Sequence, residues 1–324
     1  MIHQRSVLTI ATGKKLYINF AVNLARSFFL HNSGTSIRFY IVTDNKDFIE
    51  ADILKKVSII EVSPGELGEG FSSKLHLDKL APEGQTLFID SDCLIFGNLE
   101  SVFKRFNGNF VSVVGSYISS GEWFGDVAKI CHLFNVPHFP KFNGGIYYLE
   151  KGIIATEVFS KARELEKKYD EISFVRLRNR PNDEVIMAVA MQLMNQKPIL
   201  EDGSILGEFV NFQSGIDVNI FTGKALLYNI PGHKNYQANW PLQLGKPLVV
   251  HFLGDHTSRY PYITLIKKLE LQKKKLPLFL INIYAYFFST LPWQFKFYFK
   301  QLLRPFYSFF FGIRRIKKSE RIID

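Results

Sequence analysis

The chain has 324 residues, 47% hydrophobic and 22% charged, which is enough to bury a sizeable core and excludes a disordered chain. Its two cysteines, Cys93 and Cys131, exclude a disulfide-stapled fold and a Cys-rich zinc module. The net charge of +10 belongs to one end: 13 of the 40 basic residues and only 3 of the 30 acids fall in 261–324, leaving 27 of each in 1–260, so no nucleic-acid partner is expected.

The predicted elements follow the order of an α/β domain. Residues 7–11 form a strand, too short for the apolar core of a signal peptide and followed at once by Lys14, so the catalytic part is expected in the cytoplasm. Residues 17–31 read as a helix with Ala21, Leu24, Ala25 and Phe28 on one face. Strands follow at 38–42, closed by Thr43-Asp44-Asn45, and at 57–62, ended by Pro64-Gly65. A short helix is predicted at 73–80, a strand at 86–89 and another at 109–114. Residues 116–140 show no clean period and are expected to form an insertion or loop beside the site. Strand character returns over 142–149 around Asn143-Gly144-Gly145. Helices are predicted at 156–169 and 182–195, the second started by Pro181 and Asn182, and short strands including 248–252 end the neutral region.

Composition changes near Tyr262. After Lys273-Lys274-Lys275 comes an uncharged run, 276–295, whose length at about 1.5 Å per residue would just span a bilayer. Pro277 and Pro292 are expected to interrupt it. Beyond it Lys296, Lys300 and Arg304 alternate with Phe297, Tyr298, Phe299, Phe306 and 309–311, and basic residues continue to Arg321. Aromatic residues interleaved with cations describe a segment lying in the plane of an anionic membrane; an ordinary core helix is the alternative.

The sharpest local signal is Asp90-Ser91-Asp92 at the end of a buried apolar strand, with a second apolar run behind it. In open α/β sheets ligands bind outside the carboxyl ends of strands. Two carboxylates crowded there repel unless a cation is present, and oxygen ligands suit Mg or Mn. Phosphatases of the haloacid-dehalogenase type also end a strand in Asp-x-Asp. Their motif sits on the first strand and is followed by a small hydroxyl residue, whereas here about 85 residues precede it and Cys93-Leu94 follows.

Taken in order, the strand ending in Ala11-Thr12, Lys74-Leu75, Asp90-Ser91-Asp92, Phe142-Asn143-Gly144-Gly145, Asn182-Asp183-Glu184 and His251-Phe252-Leu253-Gly254 resemble GT-A-fold glycosyltransferases. The chain is most similar to the retaining enzymes grouped with glycogenin and the bacterial lipopolysaccharide galactosyl- and glucosyltransferases, over roughly residues 5–260. The resemblance implies a Rossmann-like α/β fold and Mn or Mg held by Asp90, Asp92 and His251. It implies a nucleotide-sugar donor bound by Ala11, Thr12, Tyr17, Lys74, Ser91 and Gly254, and sugar contacts from Asn143, Gly144, Gly145 and Asp183. Glu184 would stand close to the reacting carbon.

Three positions depart from the family pattern. An acid usually follows the nucleoside-binding Thr, where this chain has Gly13-Lys14-Lys15. Asp183-Glu184 stands where many members have Asp-Gln, and Thr257 replaces a Lys, so Arg259 or His256 is the candidate to take over its phosphate contact.

The sequence therefore leads to a GT-A catalytic domain over 1–260 and a basic, aromatic membrane-associating segment over 261–324. The expected reaction is metal-dependent transfer of a hexose from a UDP-linked donor to a glycan or lipid-linked acceptor, with retention, at the cytoplasmic face of the membrane, in surface polysaccharide or lipopolysaccharide synthesis. A sugar-nucleotide nucleotidyltransferase, of which Thr12-Gly13-Lys14-Lys15 would be a thin signature, and a non-catalytic membrane-bound glycan-binding protein are the alternatives.

Overall fold

Buried apolar runs become strands and amphipathic runs cover them. A computed structural model describes residues 4–68 and 70–312, so Arg314, Arg315, Lys317, Lys318 and Arg321 of the basic tail lie outside the described residues. The chain begins β1 (Arg5–Ile10), α1 (Lys15–Asn32), β2 (Arg38–Thr43), the single turn α2 (Ala51–Leu54) and β3 (Ser58–Glu61). A 3₁₀ stretch, Gly70–His76, leads into α3 (Leu77–Leu80) where one short helix was expected; then come β4 (Gln85–Ile89), β5 (Cys93–Ile95) and α4 (Glu100–Phe106).

The run expected as one strand over 109–114 divides into β6 (Val111–Ser112) and β7 (Val114–Ile118), which pair in different sheets. Residues 116–140 are not a loop. They finish β7 and then form α5 (Val127–Phe134) and β8 (Phe139–Phe142). The helix is capped by Asp126, which accepts the Lys129 N–H at 3.2 Å, and it ends at Asn135 in the left-handed region. Its apolar period, Val127, Ile130, Cys131 and Phe134, covers only two turns, too few to stand out between glycines and prolines.

β9 (Ile146–Glu150), α6 (Ile153–Lys167) and α7 (Asp183–Leu193) follow, and Asn143-Gly144-Gly145 breaks the expected 142–149 strand between β8 and β9. Short strands β10 (Ile199–Leu200), β11 (Leu206–Glu208), β12 (Gly215–Asn219), β13 (Lys224–Tyr228), β14 (Leu244–Gly245) and β15 (Val249–His251) complete the sheets.

The main sheet has the order β3-β2-β1-β4-β9-β6, with β1 to β4 parallel and β9 antiparallel to β4. Strand order reverses between β1 and β4, the position where an open α/β sheet leaves a crevice at its carboxyl edge. Every residue of β4 is buried, because both faces of the sheet are covered. Leu8, Phe88, Tyr147 and Leu149 pack with α6 and α7 on one face; Val7, Leu87, Ile89 and Tyr148 pack with α1 and α4 on the other.

The C-terminal region departs from expectation in two respects. Helix α8 (Tyr262–Gln272) belongs to the packed body: Tyr262, Leu265 and Leu269 are buried with Phe20 and Phe252. Pro277 bounds the uncharged run as expected, in extended backbone just before α9 (Leu278–Ala285), but Pro292 does not interrupt it. Helical backbone continues from α9 through a π turn, Tyr286–Thr290, into α10 (Leu291–Phe311), the wider turn lying just before the proline. Among the described residues, no helix is long and apolar enough to cross a membrane.

Candidate active site

The Asp90-Ser91-Asp92 turn joins the end of β4 to β5. Its backbone is fixed at both flanks: the Asp90 N–H donates to Gly145 O at 2.9 Å, and Asp92 O accepts the Phe252 N–H at 3.1 Å. Antiparallel pairing of β5 with β15 sets His251 opposite Cys93, which brings the imidazole to Asp92. His251 Nε2 lies 2.9 Å from Asp92 Oδ1 and 3.8 Å from Asp90 Oδ2. Its Nδ1 is 2.7 Å from Asn143 Oδ1, an acceptor whose orientation is fixed by the Gly145 N–H at 2.9 Å. Nδ1 therefore carries the proton and donates it. Nε2 is buried against the Asp92 and Asp90 carboxylates. Burial lowers the imidazole's pKa, but the charges of Asp92 and Asp90 outweigh it and raise it, so this nitrogen faces a place built for positive charge, a proton or a metal ion.

That arrangement fits a divalent cation. Asp92, Cys93 and His251 converge with ligand atoms within 4.8 Å of one another. Burial, then the charges of Asp92 and Asp90, push the Cys93 thiol well above its usual range, so it stays protonated and is a poor partner for a hard ion. Asp90, Asp92 and His251 are the donor set suited to Mn or Mg.

Lys74 reaches in from the 3₁₀ stretch to form the other half of the cluster. Its Nζ donates to Asp90 Oδ2 and to Gly144 O, each at 2.8 Å, and stands 3.9 Å from Asp183 Oδ2. Burial alone would lower its pKa, but Asp90 and Asp183 outweigh it and raise it, so Lys74 remains an ammonium.

Asn182 caps α7 by accepting the Glu184 and Val185 N–H groups at 2.9 and 3.3 Å, which aims the first-turn carboxylates at the sheet. Tyr147 OH donates to Asp183 Oδ2 at 2.5 Å. The Gly144 N–H donates to Glu184 Oε1 at 2.8 Å. Burial raises the pKa of Asp183, opposed by Lys74 and Tyr147. Burial and the Asp183 charge push Glu184 up to about 8.

The glycines are required by clearance. A Cβ on Gly145 would lie 2.5 Å from His251 Nδ1, and one on Gly144 would lie 3.0 Å from Asp183 Oδ2 and 3.3 Å from Lys74 Nζ. In front of this cluster a cleft of about 500 Å³ opens at the carboxyl ends of β1, β2 and β4.

No family profile and no curated protein matches the sequence. Solved structures do match its fold. The galactosyltransferase LgtC, solved with donor and acceptor sugar analogues, has a TM-score of 0.51 at 12% identity, covering 84% of this chain and 96% of its own. The bifunctional glycosyltransferase WbbM has a TM-score of 0.51 at 12% identity, covering 87% of this chain and 52% of its own. The glycosyltransferase GlyE of Streptococcus pneumoniae has 0.50 at 17%, covering 86% and 63%. The fold is that of GT-A glycosyltransferases.

Within this GT-A fold the residues singled out in the sequence divide by position. Thr12, Tyr17, Lys74, Asp90, Ser91 and Asp92 line the cleft. Asn143, Gly144, Gly145, Asp183, Glu184 and His251 join them from behind through the contacts above. Ala11 is fully buried in the core, its N–H given to Val42 O at 2.8 Å. Gly254 begins a 3₁₀ turn, Gly254–Ser258, after β15, and Arg259 pairs with Asp255 at 3.0 Å; neither lines the cleft.

Among the other lining residues, Asp44, Phe71, Arg178 and Arg180 were given no role in the sequence. Asp44 follows β2 and accepts the Gly13 N–H at 2.9 Å, so a carboxylate stands beside Thr12-Gly13 although none follows Thr12 in the chain. An acid just past a parallel strand was the available signal for Asp44; an alternating Arg176, Arg178, Arg180 run just before Asn182 was the signal for the arginines.

Proposed function

We propose that this protein is a metal-dependent hexosyltransferase taking a UDP-linked sugar as donor and a glycan or lipid-linked acceptor, with retention, in bacterial surface polysaccharide or lipopolysaccharide synthesis. One observation carries the reading: a buried imidazole nitrogen 2.9 Å from Asp92 Oδ1 and 3.8 Å from Asp90 Oδ2, behind a cleft of about 500 Å³. Asp90, Asp92 and His251 would hold Mn or Mg, which supplies Lewis-acid neutralisation of the charge on a departing nucleoside diphosphate.

The chain's own residues perform the rest. Lys74 fixes Asp90 and offsets the negative charge of Asp183. Asp183, oriented by Tyr147 and by the Asn182 cap, accepts a hydrogen bond from a sugar hydroxyl. Thr12 and Tyr17 hold the nucleoside. Glu184, as a carboxylate, assists at the anomeric carbon. Hydrolysis of a panel of nucleotide sugars, with Mn and with chelator, tests the reading. Mn-dependent release of a nucleoside diphosphate is expected. Failure with every donor, or pyrophosphate release from a nucleoside triphosphate and a sugar phosphate, overturns it.

We further propose that the protein works as a peripheral enzyme on the cytoplasmic face of an anionic membrane. Support comes from the segment after Lys275. Phe279, Phe288, Phe295 and Phe306 are all more than 60% exposed, and α10 has no buried residue at all. Exposed rings on that scale beside Lys296, Lys300 and Arg304 suit an acyl boundary under anionic headgroups.

A further inference from the structure

Residues Leu177 to Arg180 form a two-residue hairpin closed by Leu177 N–H to Arg180 O at 2.9 Å and Arg180 N–H to Leu177 O at 3.1 Å. Both central residues, Arg178 and Asn179, are left-handed, at φ 51° and 60°. Such turns ordinarily take Asn-Gly; an arginine there is held against its own preference. The holding contacts are plain. Tyr169 OH donates to Val175 O at 2.8 Å and accepts the Asn182 N–H at 3.2 Å, the Val175 N–H donates to Phe124 O at 3.0 Å, and Arg176 grips Asp170 through two nitrogens at 2.6 and 2.8 Å. Strain kept by an anchored loop beside a cleft points to a use for the residue it displays.

The two arginines beyond Arg176 both line the cleft that holds Asp90 and Asp92. Arg180 also lies against the glycine-bearing loop that forms another part of the wall. A Cβ on Gly70 would come within 2.8 Å of Arg180 Nη1 and 2.9 Å of its Cδ, so the arginine side chain lies directly on the Gly70 backbone. Lys74, on the same wall as Asp90, donates to Asp90 and Gly144 O, and Arg259, outside the cleft, pairs with Asp255. The residue next to the hairpin's exit, Asn182, caps the helix that carries Asp183 and Glu184.

We infer that this hairpin is a phosphate clamp, with Arg178 and Arg180 binding the diphosphate of the nucleotide-sugar donor across the cleft that contains the Asp90 and Asp92 carboxylates. The inference rests on the transferase reading above and deepens it. Planar guanidinium groups bind phosphate oxygens through paired N–H donors, and the position of the hairpin just before α7 makes phosphate binding and sugar placement one event.

The test is calorimetric titration of the full chain, in the presence of Mn, with UDP, GDP, CDP and ADP and with the matching nucleosides. Arg178→Ala and Arg180→Ala should each weaken diphosphate binding by about tenfold, leave nucleoside binding and Tm unchanged, and flatten the salt dependence of affinity; Arg178→Lys should restore part of the loss. Arg178 is exposed, so its variant keeps the test valid should Arg180→Ala disturb the Gly70 loop. Unchanged diphosphate affinity in the double variant overturns the inference, as does an equal loss for nucleoside and diphosphate. Intact diphosphate affinity with transfer lost only to a phosphorylated acceptor overturns the donor assignment. Wild-type protein that binds none of the four diphosphates overturns the transferase reading itself and this inference with it.

Discussion

Glu184 and Lys74 meet on one glycine: Glu184 Oε1 accepts the N–H of Gly144 at 2.8 Å, and Lys74 donates to the carbonyl of the same residue, also at 2.8 Å. The loop between β8 and β9 thereby ties α7 to the 3₁₀ stretch, and through Lys74 to Asp90. A carboxyl that lies partly buried, beside the Asp183 charge and on a backbone N–H, has consequences in both stability and rate.

The stability consequence follows from proton counting. Glu184 is pushed up to about 8 in the folded protein against 4.5 when unfolded. Between those values the folded state binds the extra proton, so stability falls as pH rises through the window, and the cost is complete above about 8. Glu184→Gln keeps the acceptor and removes the charge. Without metal its Tm should exceed wild type by a few degrees at pH 9, and the difference should vanish near pH 4, where both states are protonated. Thermal scans at both pH values check this; an equal gain at both would assign the effect to packing.

The rate consequence has the opposite sign. A carboxyl that assists at the anomeric carbon must be ionised, so kcat/KM for donor turnover should rise with pH toward a plateau above about 8. Glu184→Gln should lower kcat far more than it raises KM and should flatten that profile. A variant with near-wild-type kcat would leave retention to the leaving phosphate, taking the acceptor's proton without help from Glu184.

Clearance at Gly145 yields a sharper structural test. Gly145→Ala puts a Cβ 2.5 Å from His251 Nδ1 and 2.9 Å from Asn143 Oδ1, so the imidazole must leave its position or the backbone must shift. Mn affinity, measured by calorimetry, should drop by about tenfold or more. Gly152→Ala, where nothing lies within 4 Å, should leave it unchanged.

How much of this was legible in the chain depends on the range of the signal. β1, β2 and β4 are runs of buried residues bounded by turn chemistry, and Asn182 is a helix start that works as its residue type dictates. The Asp-x-Asp turn was readable for the same local reason. The adjacency of His251 and Asp92 was not local: it depends on the register of β15 against β5. Asp44 reads as an ordinary turn residue until the parallel sheet brings its strand end beside Gly13. The alternation of Arg176, Arg178 and Arg180 is visible in the chain but does not say what the side chains face; only the fold-back of their hairpin brings Arg178 and Arg180 to the cleft. Pro292 misled because a proline reads as a break, whereas the helical backbone passes through it, with a π turn, Tyr286–Thr290, just ahead of it.

Metal binding has a direct test at Asp92. Its side chain is buried and faces His251, while its backbone carbonyl holds Phe252 independently. Asp92→Asn should therefore leave the fold intact, remove a ligand charge and abolish Mn-dependent turnover. Full activity of that variant in Mn would show the site to be misassigned. Thermal scans with and without Mn supply a readout apart from activity: wild type should gain stability from the ion and the variant should not.

The C-terminal segment gives the last prediction, and the fold dictates where to cut. Truncation after residue 260 would remove Tyr262, Leu265 and Leu269 from the core. Ile281, Ala285 and Thr290 are also buried, the last sharing a 2.8 Å hydrogen bond with Thr264. Truncation after Thr290 spares them all and deletes α10, which has no buried residue. Two forces should hold α10 to a bilayer: burial of its exposed rings, which salt does not screen, and about 1 kcal/mol from each of Lys296, Lys300 and Arg304 near an anionic surface, which salt does. The truncated protein should keep its Tm and its donor hydrolysis, leave anionic vesicles in sedimentation, and lose transfer to a lipid-linked acceptor. High salt should weaken attachment of the full chain without abolishing it, and alkaline carbonate should extract it. Truncated protein that still sediments with vesicles would move the attachment to Lys273, Lys274 and Lys275; truncated protein that no longer folds would make α10 part of the core.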